Sequence, residues 1–208
     1  MKNCGLYWGG KMEVNVPDYK VLPEVKLASR ETALIVVDMQ VDFVSPKGKL
    51  FVPAARKTIP EIYKLISKAR KAKVPIFFTQ DWHRPDDPEF SLWPLHAVAD
   101  TPGAKVVVQL KSRRIDYFIR KKTYDAFFGT EFDLVLRQKG IRSLVITGTV
   151  ANICVLHTAG SACLRGYEIV VPEDAISSLT SFDQAAALRQ ISFVYQGKIT
   201  RSSGIKFL

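Results

Sequence analysis

Cys154, Asp38, Lys121, Asp81, His83 and His96 are the side chains of this 208-residue chain whose types and surroundings could do chemistry. Cys154 follows the apolar, β-branched run Leu144-Val145-Ile146-Thr147 and opens a stretch over residues 154–165 with helical character, closed by Gly166. That pattern predicts a buried strand handing over to a helix. Unpaired N–H groups and the positive end of the helix dipole gather at such a junction. A thiol there can be held as thiolate, and the same N–H groups can hold the oxyanion formed when it attacks a carbonyl. The bland alternative is a small buried hydrophobe, the commonest fate of a free cysteine.

Asp38 ends the apolar run Ala33-Leu34-Ile35-Val36-Val37, and Lys121 ends Tyr117-Phe118-Ile119-Arg120. Each stands where a strand stops. Taken alone, Asp38 could cap a turn and Lys121 could be a solvated lysine in the basic run that includes Lys122. Asp81 and His83 follow a third run, Val74-Pro75-Ile76-Phe77-Phe78-Thr79, and alternate, so on extended backbone both project to one side. A loop returns the chain to His96. One carboxylate and two imidazoles suit zinc, iron or manganese, with positions left for water or substrate. Two ordinary surface histidines are the alternative.

These positions call for a fold that gathers strand ends. Apolar runs alternating with helical stretches over residues 58–72, 130–138, 154–165 and 181–196 predict an α/β chain with a parallel sheet and right-handed crossovers. In the 58–72 helix, Pro60 is expected in the first turn. Ser181-Phe182-Asp183-Gln184 is read as the capping box of the last helix, and residues 198–200 as an edge strand. In a parallel sheet all carboxyl ends lie on one edge, where ligands bind. There Asp38 could take the thiol proton of Cys154, and Lys121 could tune both groups.

Composition excludes other classes. The net charge of +10 raises nucleic acid as a partner. However, the cations are scattered, as in Lys64, Lys68, Arg70, Lys71 and Lys73, and no zinc-finger spacing or RNA-binding aromatic signature occurs. No Gly-rich phosphate loop follows the first strand, where Asp38-Met39-Gln40 stands. A basic nucleic-acid-binding module is thus the remote alternative, and the expectation is no nucleic-acid partner. No apolar run approaches the roughly 18 residues of a membrane span, and the first residues lack a signal-peptide core. With three cysteines, an odd number, the expectation is a cytoplasmic protein without membrane contact. Residues 1–31 read as a Pro- and Gly-containing N-terminal arm and residues 32–208 as a single domain.

The motifs together resemble an isochorismatase-like cysteine hydrolase, and within that superfamily a nicotinamidase. The resemblance runs over roughly residues 32–200. It rests on Ile35-Val36-Val37-Asp38-Met39-Gln40-Val41-Asp42-Phe43, Asp81-Trp82-His83, Trp93-Pro94-Leu95-His96, Lys121-Lys122-Thr123-Tyr124-Asp125-Ala126-Phe127, and the stretch from Gly148 to Ala159. It implies a three-layer fold, a six-stranded parallel sheet with helices on both faces. It implies Asp38 as base, Lys121 as its partner (Lys122 if the alignment shifts by one) and Cys154 as nucleophile. It also implies a non-proline cis bond near Thr149-Val150, an oxyanion hole from the Val150 and Cys154 amides, and Phe43 and Trp93 packed on the substrate. The metal on Asp81, His83 and His96, zinc before iron or manganese, would bind the pyridine nitrogen of nicotinamide. The short segment ending in Tyr124-Asp125-Ala126-Phe127 is shared with carbamoyl-amide hydrolases, so a carbamoyl or ureido amide is the alternative substrate. A homo-oligomer is expected, with the arm over residues 1–31 as a candidate for crossing between subunits.

Overall fold

The computed structural model describes residues 15–208. The lead-in contributes β1 (Val21–Leu22) and β2 (Val25–Leu27) before the first long strand, β3 (Thr32–Val37). A one-turn helix α1 (Val41–Val44) and a long helix α2 (Ala55–Lys71) lead to β4 (Ile76–Asp81). Then come β5 (Tyr117–Lys121), α3 (Phe132–Gln138) and β6 (Ser143–Thr149). A π-helical turn, Ala151–Val155, runs into α4 (Leu156–Leu164). The chain continues through β7 (Glu168–Pro172), β8 (Ile176–Ser177), α5 (Ser181–Phe193), β9 (Lys198–Thr200) and β10 (Ile205–Phe207).

The main sheet has the order β1-β9-β7-β6-β3-β4-β5, and every pairing in it is parallel. Its six principal strands are those the sequence predicts. The two-residue β1 extends the β9 edge, and the two-residue β8 pairs with the end of β6. β3 shows why its residues read as one apolar run. Leu34 and Val36 pack with the α2 side chains Ile62, Leu65 and Ile66 on one face. Ala33, Ile35 and Val37 pack with Phe132 of α3, Ala159 of α4 and Leu188 of α5 on the other. A strand covered on both faces has no solvent side and loses the alternation of a surface strand.

The lead-in is more structured than its composition suggests. β1 pairs with β9, and β2 forms a separate two-stranded parallel sheet with β10. Two-residue and three-residue pairings carry no readable periodicity, which is why the sequence shows only an arm there. The part of that arm at residues 1–14 lies outside the described residues.

Two local expectations need correction. α2 begins at Ala55, so Pro60 is its sixth residue rather than part of the first turn. The missing N–H removes one helical hydrogen bond on the exposed face, a loss water can offset. α5 is capped by Thr180, not by Ser181: the Asp183 N–H donates to Thr180 Oγ1 (3.1 Å). No helix among the described residues is long and apolar enough to cross a membrane.

Candidate active site

Four adjacent strands, in the order β6-β3-β4-β5, deliver the chemical groups to one edge. Asp38 directly follows β3 with φ +48°, in the left-handed region that Asp tolerates better than most residues. Its N–H donates to Thr79 Oγ1 of β4 (3.2 Å), and the Thr79 hydroxyl donates back to Asp38 Oδ1 (2.6 Å). Lys121 ends β5 and is 1% exposed, whereas Lys122 is exposed. Register, not proximity in sequence, therefore selects the lysine. Its ammonium lies 2.7 Å from Asp38 Oδ2, pairs with Asp81 Oδ1, donates to the Thr123 carbonyl (3.0 Å) and stands 3.8 Å from Cys154 Sγ.

Cys154 is buried in the π-helical turn after β6. The Ile153 and Val155 N–H groups both turn back to the Val150 carbonyl, at 3.0 and 3.2 Å. The Thr149–Val150 peptide is cis, as the resemblance implies. Gly148, just before it, has φ +107°, and a Cβ there would lie 2.0 Å from the Val37 carbonyl oxygen. Only glycine lets β6 pair with β3 to its last residue, Val37 against Gly148.

Burial pushes the Cys154 thiol well above its ordinary value; Lys121 pulls it down, and Asp38 and Asp81 add to the rise. Desolvation thus opposes the thiolate more than the helix end and the lysine favour it. Burial also raises Asp38, with Lys121 opposing and Asp81 assisting. A carboxylate raised in this way is a better proton acceptor. Burial works against the charged form of Asp81 too, but Lys121 and the imidazoles of His83 and His96 hold it well below the carboxylate range. Lys121 is opposed by burial and held well above its ordinary value by Asp38 and Asp81.

Beside this triad lies a second cluster. Ligand atoms of Asp81, His83 and His96 lie within 4.8 Å of one another. His96 Nδ1 donates to the Pro94 carbonyl (2.7 Å), which leaves Nε2 bare, 3.8 Å from Asp81 Oδ2. His83 is fully buried, yet neither ring nitrogen has a hydrogen-bond partner. Its Nε2 is 3.9 Å from Asp81 Oδ2, and its Nδ1 is 3.3 Å from Asp87 Oδ2. Glu89 Oε1 lies 3.9 Å from Nε2 of both histidines. The 3.9 Å separations exceed hydrogen-bond reach, and the 3.3 Å approach of Nδ1 to Asp87 makes no hydrogen bond. Two imidazoles and carboxylates facing a common point, with an outer carboxylate behind one ring, are a donor set that fits zinc. Glu89 is the member sequence reasoning left unassigned, because it depends on the path of the loop from His83 to His96. Its backbone offers a signal: Asp87 caps a short turn with Pro88 at its start, which turns Glu89 inward.

Gln40 ties the two clusters together. Its Nε2 donates to the carbonyls of Asp81 and Ala104, and its Oε1 accepts from the Asp81 N–H, all at 2.8 Å. Cys154, Val150, Asp81, Glu89 and His96 open into one cavity of about 270 Å³, and so do Phe43 and Trp93. Tyr124 lies on its wall and accepts a hydrogen bond from Trp93 Nε1 (2.8 Å). All nine residues singled out in the sequence thus come together. The arrangement can deprotonate a thiol, attack a carbonyl and hold a cation beside the reacting atom.

Residues 32–202 match the isochorismatase domain family. The chain is 35% identical to the N-carbamoylsarcosine amidase structure from Thermoplasma acidophilum, with a TM-score of 0.76 over 83% of this chain and 96% of that one. It is 34% identical to the pyrazinamidase of Pyrococcus horikoshii, solved in complex with zinc, with a TM-score of 0.77 over 82% and 99%. It is 33% identical over 189 residues to the ureidoacrylate amidohydrolase of Yersinia enterocolitica, covering 77% of this chain and 81% of that protein. With residues 32–202, most of its length, matched to that model, the chain belongs to the isochorismatase family.

Proposed function

We propose that this protein is a metal-dependent amidohydrolase that converts nicotinamide to nicotinate and ammonia through a thioester on Cys154. The observation that carries the reading is the buried, unpartnered imidazole of His83 beside Asp81 and His96, next to the cavity that holds Cys154. An orphaned buried polar group costs stability and calls for a partner. Asp81, His83 and His96, with Glu89, would hold a divalent metal, zinc before iron or manganese. When bound, it would supply a Lewis acid that orients a ring nitrogen in the cavity.

The chain's own residues account for the bond changes. Asp38 accepts the Cys154 thiol proton as Sγ attacks the carboxamide carbon. The Val150 and Cys154 amides hold the developing oxyanion. Asp38 returns the proton to the departing nitrogen, so ammonia leaves and a thioester remains. Water then attacks the thioester carbon and gives its proton to Asp38. The carboxylic acid leaves as the proton passes back to Cys154. Lys121 keeps Asp38 in place and offsets the negative charge that passes between the two groups. Phe43 and Trp93 form cavity walls against which a flat ring can pack. Residues 32–208 form the hydrolase unit in this reading, to which the lead-in adds edge strands.

A second reading, hydrolysis of a carbamoyl or ureido acid, is favoured by Lys49. It lines the cavity, and among the described residues no carboxylate lies within salt-bridge distance of its ammonium. Such a cation could meet a substrate carboxylate. Ammonia release from nicotinamide by wild type and Cys154→Ala, zinc-loaded and chelated, separates the readings. Release that needs both Cys154 and metal supports the nicotinamidase. No release from nicotinamide, with release from an N-carbamoyl amino acid, moves the assignment to the second reading.

A further inference from the structure

Asp42 is a buried acid that the reaction above does not use. It is 8% exposed, and no lysine, arginine or histidine among the described residues forms an ion pair with it. Its charge is met by backbone N–H groups: Oδ2 accepts from Ala97 (2.8 Å) and Oδ1 from Lys49 (3.2 Å). Gly103 packs so closely that a Cβ there would lie 2.2 Å from Oδ2. A buried carboxylate without a cation is costly unless its hydrogen bonds are good ones. Here the chain has shaped three segments around it.

Ala97 is the point at which those segments meet the metal cluster. It follows His96 and has φ +43°. Its carbonyl accepts from the His83 N–H (3.2 Å), while the His83 carbonyl accepts from the Ala99 N–H (2.8 Å). One residue thus joins the two imidazoles, and its remaining backbone group, the N–H, is held by Asp42. Phe43, next to Asp42, sets its ring edge against the His96 ring at 5.5 Å. We infer that Asp42 is a positioning residue that fixes His96 relative to His83, and so sets the affinity of the metal site without touching the metal or the substrate.

This inference rests on the metal reading above and adds the residue that holds its geometry. Asn in place of Asp42 has one oxygen where two N–H donors converge, so its amide must face one of them. The test is zinc affinity, measured by competition with a chromogenic chelator, for wild type and Asp42→Asn, alongside melting temperature and the rate of Cys154 alkylation by iodoacetamide. The expected result is a roughly 10–100-fold loss of zinc affinity, the range seen when groups behind a ligand are altered, with the alkylation rate unchanged. Wild-type affinity in Asp42→Asn would overturn the inference. So would losses in affinity, melting and alkylation that move together, since that is the mark of a general structural role. If Asp42→Asn does not fold, hydrogen exchange at the wild-type Ala97 amide decides: protection like that of the sheet interior supports the hydrogen bond, and exchange at loop rates overturns it. A wild type that takes up no zinc ends the metal reading and this inference together, whereas zinc uptake unaltered by the substitution ends this inference alone.

Discussion

The Lys121 half of the site and the His83 half share Asp81 and are built on opposite principles. Around Lys121 every charge has a protein partner: Asp38, Asp81 and the Thr123 carbonyl surround one ammonium. Around His83 the partners are missing, and two ring nitrogens face carboxylates beyond ordinary hydrogen-bond reach or alignment. The first half is charge-balanced within the protein, with the Lys121 ammonium 2.7 Å from Asp38 Oδ2 although that oxygen has no aligned hydrogen bond. The second, in the proposed reading, is completed by a cation. The difference predicts which half carries stability and which half carries ligand dependence.

The largest effect is expected at the junction with Cys154. Cys154→Ala should lower amide hydrolysis by about three orders of magnitude or more, whichever amide is the substrate, while leaving zinc affinity intact. Residual turnover near wild type would remove the nucleophile assignment. Next comes Lys121→Met, which strands two buried carboxylates and should cost about 3–5 kcal/mol of stability. In the metal-free protein His83→Ala should cost less, because that ring has no hydrogen bond to lose. Equal losses in denaturant titrations would break the comparison.

Zinc sharpens it from the other side. At a hundredfold excess over its dissociation constant, it should stabilise wild type by about 2.7 kcal/mol and His83→Ala hardly at all, as read by melting scans. That stabilisation should grow as pH rises. Burial works against the His83 imidazolium, but Asp81, Asp87 and Glu89 outweigh it and hold its pKa above the ordinary 6.5. A proton on His83 therefore stabilises the metal-free fold below pH 6.5, and that contribution is lost as pH rises through the raised value. Zinc competes with this proton, so its stabilisation grows over the same window. A zinc effect independent of pH would show that His83 is not a ligand. The smallest effect belongs to Arg84→Ala. Its pair with Asp86 is fully exposed, so neither zinc affinity nor melting should change measurably.

The legible part of the site is the part carried by strand ends. Asp38, Asp81, Lys121 and Cys154 each stand at or just after the end of an apolar run, and a parallel sheet leaves one place for such residues to meet. Lys49 lies on a loop whose course depends on contacts distant in sequence, so no local pattern announces it, and Glu89 is marked only by the short Asp87-Pro88 turn before it. Thr79, the partner of Asp38, reads in sequence as an ordinary strand residue. Its role depends on β4 lying beside β3. The surroundings of Cys154 are legible only in part for a related reason: position at a helix start is visible in sequence, whereas the desolvation that opposes its ionisation depends on everything packed around the turn. The edge pairings of β1 and β2 join segments nearly the whole chain apart, and short segments carry too few residues to show a period.

The β2–β10 pair has a mechanical consequence. Val25, Lys26 and Leu27 run parallel to Ile205, Lys206 and Phe207, and the Ser29 and Leu208 N–H groups extend the ladder to the carbonyls of Leu208 and Leu27. A pull applied beyond the two ends of this pair drives parallel strands in opposite directions along their axes. The load then falls on all the rungs at once, in shear, rather than opening them one by one. A pull along these strand axes would meet this clamp before it loads the strands that carry Asp38 and Cys154.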